Sequence, residues 1–138
     1  MTTTLKRVRD WRARLSDVIE DRRRTPFDEI KNCGVFLADC VFAMTGVDLA
    51  AKYRGKYKSV AEGIILLRRD GYHDLCAFLE KHLDEIPPAM ARSGDVMAFV
   101  TDLGWAGGIV NGERVTVMSE SGLGTVSRNG ATRAFRVP

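Results

Sequence analysis

Cys33 is the residue whose type and position best suit chemistry in this sequence. It opens an apolar run that continues to Met44, and Asn32 before it is a typical helix cap. A helix N-terminus has free backbone N–H groups and partial positive charge, so a thiol there is stabilised as the reactive thiolate. The sequence therefore offers Cys33 as a candidate nucleophile. The alternative is that Cys33 is a small buried core residue, as free cysteines often are.

A thiol nucleophile needs a general base within hydrogen-bond reach, and histidine is the usual choice. The two histidines, His73 and His82, both fall in the helical half of the sequence. Each has the setting of a surface histidine, although the fold could still bring one of them to Cys33. We interpret Cys40 and Cys76 as core residues, because both lie inside helical patterns. No segment has the spacing of a metal site or a nucleotide-binding loop, so no cofactor is expected.

The composition is that of one globular domain. The chain has 138 residues, of which 45% are hydrophobic and 28% charged, with a net charge of +3. Three cysteines without CxxC spacing argue against a disulfide framework. The polar opening segment and the short apolar runs predict neither a secretory leader nor a membrane span, so we expect a reducing cytosol as the site of synthesis.

Basic residues are concentrated in the first 24 positions of the chain. They are Lys6, Arg7, Arg9, Arg12, Arg14, Arg22, Arg23 and Arg24. Two interpretations stay open, a solvated helix face or a docking patch for an acidic partner. Nucleic acid is not expected as a partner, because no aromatic residues are interleaved for base stacking.

The elements that must position Cys33 fall into a helical part, residues 4–86, and a strand-rich part, residues 94–138. Helices are predicted over Leu5–Asp21, Cys33–Thr45, Ser59–Arg69 and Asp74–Leu83. Thr4 is the expected cap of the first helix, and Thr25-Pro26 follows its end. Asn32 and Gly46 are expected to bound the second helix, and Ser59 with Glu62 forms a capping box for the third. The second helix is apolar nearly all round, so it is predicted to be buried, and its one charged residue, Asp39, then needs a partner.

From Asp95 onward the pattern predicts short strands. They cover Val96–Val100, Ala106–Val110, Arg114–Met118, Thr125–Ser127 and Thr132–Val137. Asn111-Gly112 predicts a type I′ hairpin, Ser119–Gly124 a turn region, and Asn129-Gly130 a link between the last two strands. The sum is a single α+β domain, with N-terminal helices packed on a small C-terminal antiparallel sheet or partly open barrel.

Several segments carry a family resemblance that covers roughly residues 5–137. They are Phe27–Cys33, the apolar helix with Asp39, Met44–Asp48, Tyr53–Tyr57, Gly94–Val96 and Gly108–Val110. The sequence resembles the DUF6950 group, a phage and prophage family of unknown function. That group is similar in turn to the NlpC/P60 cell-wall peptidases, which have a papain-like fold with the nucleophile on a helix and the base on the following sheet.

The resemblance implies a nucleophile position without its base. NlpC/P60 enzymes have an Asp-Cys pair at the helix start, and this chain has Asn32-Cys33. Their Gly-Asp before the first strand matches Gly94-Asp95. Their next strand begins His-Val-Gly-Ile, and the matching stretch here begins with Ala106. The third polar member would fall near Ser119, to which we assign no role.

Because loss of a general base costs a rate factor of roughly 10² to 10⁴, the resemblance favours a scaffold over an enzyme. It implies a structural or assembly protein of a bacteriophage tail tip or baseplate. The protein would be assembled in the host cytoplasm and then carried in the virion. Other tail proteins, the hub, tip or baseplate subunits, would be its partners. The expected contact residues are Arg22, Arg23, Arg24, Tyr53, Arg54 and Tyr57, since tyrosine and arginine are favoured at interfaces.

Two alternatives remain. The first is a cysteine peptidase or amidase that acts on peptidoglycan, with Cys33 as nucleophile and Asn32 or backbone N–H groups as oxyanion contacts. His73, His82 or a partner chain would then supply the base. The second alternative is a small regulatory module that binds a host protein.

Overall fold

The described residues form four helices and a six-stranded antiparallel sheet, which makes the architecture α+β as the sequence predicted. The computed structural model describes residues 5–25, 33–102, 104–119 and 121–138, and of Cys33 the backbone. The helices are α1 Trp11–Arg23, α2 Cys33–Thr45, α3 Val60–Arg69 and α4 Leu75–His82. The strands are β1 Asp84–Ile86, β2 Val96–Thr101, β3 Gly104–Asn111, β4 Arg114–Ser119, β5 Gly122–Ser127 and β6 Arg133–Arg136.

The strands form one open sheet in the order β1-β6-β2-β3-β4-β5. Strands β2 to β5 follow one another as hairpins, and every pairing is antiparallel. The last strand, β6, inserts between β1 and β2. Because β1 and β5 stand at opposite edges and do not pair with each other, the sheet does not close into a barrel.

Helix α2 is the central helix, as its apolar sequence predicted. Phe36, Leu37, Val41 and Met44 are buried in the main core. They pack against β3 and β4, while α1 covers the other side of α2. Burial of a helix that has little polar surface removes a large apolar area from water, which is the main stabilising term for such a fold.

A second, smaller core covers the other face of the sheet. It consists of Ala91, Met97, Val110, Val115 and Ala134. Two 3-10 turns, Pro88–Met90 and Arg128–Gly130, lie beside it. They are tied together because Arg128 Nη2 donates to the carbonyl of Ala91 at 2.7 Å. The strands are therefore buried on both faces in the middle of the sheet.

The helix predictions are confirmed for α2 and α3 and wrong for the start of α1. Ser59 accepts a hydrogen bond from the N–H of Glu62, as the capping box predicted. Helix α1 begins only at Trp11 because the preceding segment is held extended by long-range bonds. The N–H of Arg7 donates to Pro138 O at 2.6 Å, and that of Val8 to Met44 O at 2.8 Å. Thr4, the predicted cap, lies outside the described residues.

The predictions for two turns of the sheet are corrected. The β3–β4 loop is Gly112-Glu113 between the paired residues Asn111 and Arg114. Only Gly112 has positive φ, at +66°, which is the φ pattern of a type II′ turn and not of type I′. The predicted turn region over Ser119–Gly124 is partly strand, because Ser119 pairs with Gly122.

Two further differences concern which strands pair. Asn129-Gly130 links β5 to β6 as predicted, but the two strands do not pair with each other, since β5 pairs with β4 and β6 with β1 and β2. β1 was not predicted, because its three residues are too short for a period-2 pattern. Both differences depend on long-range pairing that local sequence does not contain.

Candidate functional site

The start of α2 is the candidate site, and the backbone places Cys33 as the first residue of this helix. Asn32 and the Cys33 side chain lie outside the described part of the structure. One turn later, Leu37 lies against β3. A Cβ atom added to Gly107 would be 2.6 Å from Leu37 Cδ1, so α2 and β3 approach closely here. Glycine at 107 permits this approach without displacing Leu37.

The strand beneath α2 presents no base to the helix. Since side chains alternate along a strand, Trp105, Gly107 and Ile109 share the face that α2 covers. Ala106 pairs with Phe99 and belongs to the opposite face. Position 106, where the resemblance placed the lost base, therefore points away from α2. The three β3 residues on the α2 side have no titratable side chain.

Each described histidine interaction is with a neighbour in the α3–α4 region. The His82 ring centroid lies 4.5 Å from that of Phe78 and 6.2 Å from that of Tyr72. Burial lowers the pKa of His82, and the charge of Lys81 adds to this. His73 lies in the connection between α3 and α4, where its carbonyl accepts a bond from Arg68 Nε at 3.4 Å. His82 therefore packs against aromatic side chains, and His73 belongs to the loop between α3 and α4.

Cys40 and Cys76 are core thiols, as the sequence predicted. Both are free and buried. Burial raises the pKa of Cys40 strongly, against the opposing effect of the Arg22 charge. Burial also raises the pKa of Cys76 to about 11. A thiol that stays protonated at neutral pH is a poor nucleophile, so neither cysteine replaces Cys33 as a candidate.

Gly94-Asp95 forms a structural clamp at the start of β2. Asp95 is only 1% exposed. Its Oδ1 accepts from Arg7 Nη2 and from the Val137 N–H, both at 3.0 Å, and its Oδ2 accepts from the Arg92 N–H at 2.9 Å. Arg7 also donates to Val137 O at 2.8 Å. We call Arg7, Asp95, Arg92 and Val137 the Asp95 clamp, since it joins both ends of the domain to the sheet.

A second ionic cluster holds α1, α2 and the loop after α2 together. Arg54 donates to Asp39 Oδ1 at 2.6 Å through Nη2 and to Asp48 Oδ2 at 2.7 Å through Nε. Arg22, 8% exposed, pairs with the other oxygen of Asp39. We call Arg22, Asp39, Asp48 and Arg54 the Asp39 cluster. It confirms that Asp39 needs a partner inside an apolar helix.

The pKa of Asp48, one member of the Asp39 cluster, reflects two opposing effects. Burial raises the pKa of Asp48, but bonds from Arg54 and the Ala50 N–H, with the Arg54 charge, lower it below its ordinary value overall. The cluster lines an open groove of about 510 Å³, which Phe42 also borders. Arg54 therefore favours the ionised form of Asp48.

Five of the six residues expected to contact partners have side-chain contacts within the chain. Arg22 and Arg54 belong to the Asp39 cluster. Tyr53 Oη donates to Asp70 Oδ2 at 2.5 Å, and Tyr57 is buried with its ring 3.6 Å from a Cβ built on Gly63. Of these four, Arg22 and Tyr57 are buried, Tyr53 is half-buried and Arg54 is exposed. Arg23, paired with Glu20 at 3.0 Å, and Arg24 are exposed as well.

The Asp95 clamp was not predicted from the sequence, because its residues are far apart in the chain. Arg7 was grouped with the basic helix face, and Val137 was placed inside a strand. No local pattern links position 7 to position 95, which are 88 residues apart. The sequence did give one indication of an ionic cluster, the single charge in an otherwise apolar α2. It predicted a partner for Asp39 and nothing about Asp95.

Among the residues that the structure describes, no three His, Cys, Asp or Glu side chains are grouped in a way that could hold a metal ion. Within the same residues, each helix is too short or too polar to cross a bilayer.

In comparison with known families, the sequence model described as domain of unknown function DUF6950 matches residues 6–137. None of the curated proteins matches the chain.

Proposed function

This chain belongs to the DUF6950 family, and on that premise we propose that it is a structural or assembly protein of a bacteriophage tail tip or baseplate. The scaffold would be a degenerate NlpC/P60-like, papain-like domain. Hub, tip or baseplate subunits would be its partners, and the assembled virion its location. The observation that carries the proposal is the β3 face beneath α2, where Trp105, Gly107 and Ile109 offer no proton acceptor.

The arrangement of elements supports the scaffold part of the proposal. A helix that begins with cysteine lies on an antiparallel sheet that follows it in the chain, which is the layout expected for a papain-like thiol enzyme. The two described clusters of ionic groups are used to hold segments together. A fold that keeps its architecture while its base position is lost fits an assembly role, since fold and function are separable.

A cysteine peptidase acting on peptidoglycan is the second candidate, because Cys33 is the first residue of α2. The helix dipole would then stabilise its thiolate and backbone N–H groups would bind an oxyanion. This candidate requires a base from outside the β3 face. A partner chain could supply it, as could His73 or His82 after rearrangement of the α3–α4 region.

The tail assignment is tested in particles. Virions from a lysogen that carries this gene are banded by density and analysed by mass spectrometry, with a non-virion phage protein as the reference. We expect the chain to band with intact particles, and deletion of the gene to yield particles that lack the tail tip. Recovery of the chain only in the soluble lysate would contradict the assignment.

The catalytic alternative is tested with the purified protein. Alkylation by iodoacetamide is followed at about pH 6 for the wild type and Cys33→Ala, since only an activated thiolate reacts quickly there. Release of soluble fragments from purified peptidoglycan is measured for the same two proteins. We expect slow alkylation and no release. Fast alkylation together with release that Cys33→Ala abolishes would establish the peptidase and overturn the scaffold proposal.

A further inference from the structure

Arg133 and Arg12 each lie over a tryptophan ring, and they differ in what their donors bind. Arg133 Cζ lies 5.8 Å from the centroid of Trp105, and its Nε and Nη2 donate to the two carboxylate oxygens of Glu85 at 3.0 and 2.8 Å. Arg12 Cζ lies 4.5 Å from the centroid of Trp11. An arginine above an aromatic ring keeps its edge N–H groups free to form a bidentate pair with a carboxylate. Arg133 forms such a pair, and Arg12 has the same setting.

Arg12 is exposed and stands outside the ion pairs of its helix. In the described part of the chain, the ion pairs of α1 join Arg14 with Asp10, Arg22 with Asp39 and Arg23 with Glu20. Burial is the main cause that lowers the pKa of Arg7, against the raising effect of Asp95. The charges of Arg12 and Arg136 lower it further, so positive charges are crowded at this end of α1. A bound anion would offset them.

The Arg12 side chain is held by a stack that begins in the Asp95 clamp. Arg7 donates to the carboxylate of Asp95 at 3.0 Å and to the carbonyl of Ser93 at 2.8 Å. Arg7 Cζ lies 4.2 Å from the centroid of Trp11, and Arg12 lies over the same ring. A donor that is already positioned loses less side-chain entropy when it binds a ligand. The stack therefore prepares Arg12 for binding.

A cavity of about 160 Å³ lies beside this stack, and we call it the Trp11 cavity. Its lining includes the buried apolar side chains of Leu15 and Ile19. Ser93 and Asn111 add neutral polar groups from the opposite wall. Pockets that hold drug-sized ligands measure roughly 300–1,000 Å³, so this smaller cavity suits a single side chain.

We propose that the Trp11 cavity binds the side-chain carboxylate of a glutamate in a partner protein, with Arg12 as its bidentate donor. Arg12 would then reproduce the pair that Arg133 forms with Glu85. The methylene groups of the glutamate would contact the apolar lining, and the neutral polar lining can donate further hydrogen bonds. The basic N-terminal segment is in this way a docking site for an acidic partner. The inference does not rest on the proposed tail function.

Other anions suit the Trp11 cavity less well. Glu20 also lines it, but its carboxylate already accepts from Arg23 Nε at 3.0 Å, which leaves Arg12 to pair with one carboxylate. A phosphate dianion would meet a single uncommitted arginine. Nucleic acid needs many basic contacts to its phosphates. On α1 and its cap the arginines are interleaved with acids, which are Asp10, Asp17, Glu20 and Asp21.

The test follows the indole N–H signals of both tryptophans by NMR in the isotope-labelled full chain, while N-acetylglutamate α-amide is added. Each step is compared with sodium chloride at the same concentration, at an ionic strength of about 0.1 M. The Trp11 signal should shift to saturation with a dissociation constant on the order of 1–10 mM, as expected for so small a ligand. The Trp105 signal should stay unchanged, since Arg133 already binds Glu85. N-acetylglutamine α-amide, which has the same shape without the charge, should shift neither signal.

Two variants separate Arg12 from the general charge of the helix. Arg12→Gln should raise the dissociation constant at least about tenfold, because the bidentate donor is lost. Arg14→Gln is the matched control, since it removes one charge from the same helix at a residue that is paired with Asp10 at 2.9 Å. It should change the constant by less than about twofold, because the Arg14 charge is exposed and screened. Circular dichroism verifies that both variants are folded.

Several results would overturn the proposal. They are a Trp11 signal that does not shift, an equal shift with the glutamine derivative, and equal weakening by Arg12→Gln and Arg14→Gln. Inorganic phosphate or acetate that binds as tightly as the glutamate derivative also overturns it, in favour of a general anion site. If Arg12→Gln is unfolded, the wild-type comparison decides, and a Trp11 shift without preference for glutamate over glutamine overturns the proposal.

Discussion

The Asp95 clamp and the Asp39 cluster use the same chemistry in different surroundings. Both pair an aspartate with arginine. Asp95 is almost wholly buried and accepts two backbone N–H bonds as well as the Arg7 bond. The Asp39 side chain is 19% exposed, and one of its arginines, Arg54, is 36% exposed. Burial should therefore make the clamp the more important of the two for stability.

The comparison also separates sequence resemblance from chemical role. Gly94-Asp95 was recognised as a motif that precedes the sheet of a thiol peptidase. In this chain its carboxylate is fully used to join the N-terminal segment, β2 and the C-terminus. The Asp39 cluster likewise uses residues that were expected to contact partners. In both places charged residues that suggested function hold the architecture, which agrees with the scaffold proposal.

The largest expected effect is that of Asp95→Ala. It removes the carboxylate paired with Arg7 and the acceptor of the Arg92 and Val137 N–H groups. Removal of one partner of a buried pair costs about 3–5 kcal/mol. The free energy of unfolding at pH 7, from urea titration, should fall by that amount. Asp102→Ala, at an exposed loop aspartate, should change it by less than about 0.5 kcal/mol. A loss of under about 1 kcal/mol for Asp95→Ala would show that the clamp does not outweigh the cluster.

The next effect is that of Asp39→Ala, for which we expect a loss of about 2 kcal/mol in the free energy of unfolding. Arg22 is buried and would lose its partner, while Arg54 keeps Asp48. The double variant Arg22→Met with Asp39→Leu replaces the pair by apolar groups and should lose less than about 1 kcal/mol. Urea titration of the two variants checks this. A double variant as unstable as the single one would mean that the ionic pair itself is required.

The Asp95 clamp and the Asp39 cluster also show which features can be predicted from the sequence and which cannot. The boundaries of α2, the capping box of α3 and the α+β class follow from local patterns, and each is confirmed. The Asp39 cluster was half predicted, because a lone charge in an apolar helix requires a partner. The clamp, β1 and the insertion of β6 were not predictable, since they depend on contacts between distant segments. The sheet face on which Ala106 lies likewise could be assigned only from the pairing of β3 with β2.

Gly94→Ala tests the close contact between the Gly94 backbone and Arg7 of the Asp95 clamp. Gly94 has φ +93°, and a Cβ there would lie 2.7 Å from Arg7 Nη1. Gly46→Ala is the matched control, because Gly46 has φ +78° and open space around its Cβ position. Both should lose about 1 kcal/mol for the backbone conformation, and Gly94→Ala about 1 kcal/mol more for displacing Arg7. Equal losses in thermal or urea unfolding would show that Arg7 moves aside without weakening the clamp.

The smallest effect concerns the pH dependence of the Asp39 cluster. The pKa of Asp48 in the folded chain lies below its ordinary value of 3.8, so its contribution is present above that pH and is lost as the pH falls through the folded pKa. Asp48→Asn should therefore be less stable than the wild type at pH 7, by under about 1 kcal/mol, and the difference should shrink near pH 3. Urea titration at both pH values measures it, with Asp102→Asn as the control. A difference that is the same at both pH values would mean that Arg54 binds Asp48 through hydrogen bonds that do not depend on its charge, and the contrast between cluster and clamp would then be one of burial alone.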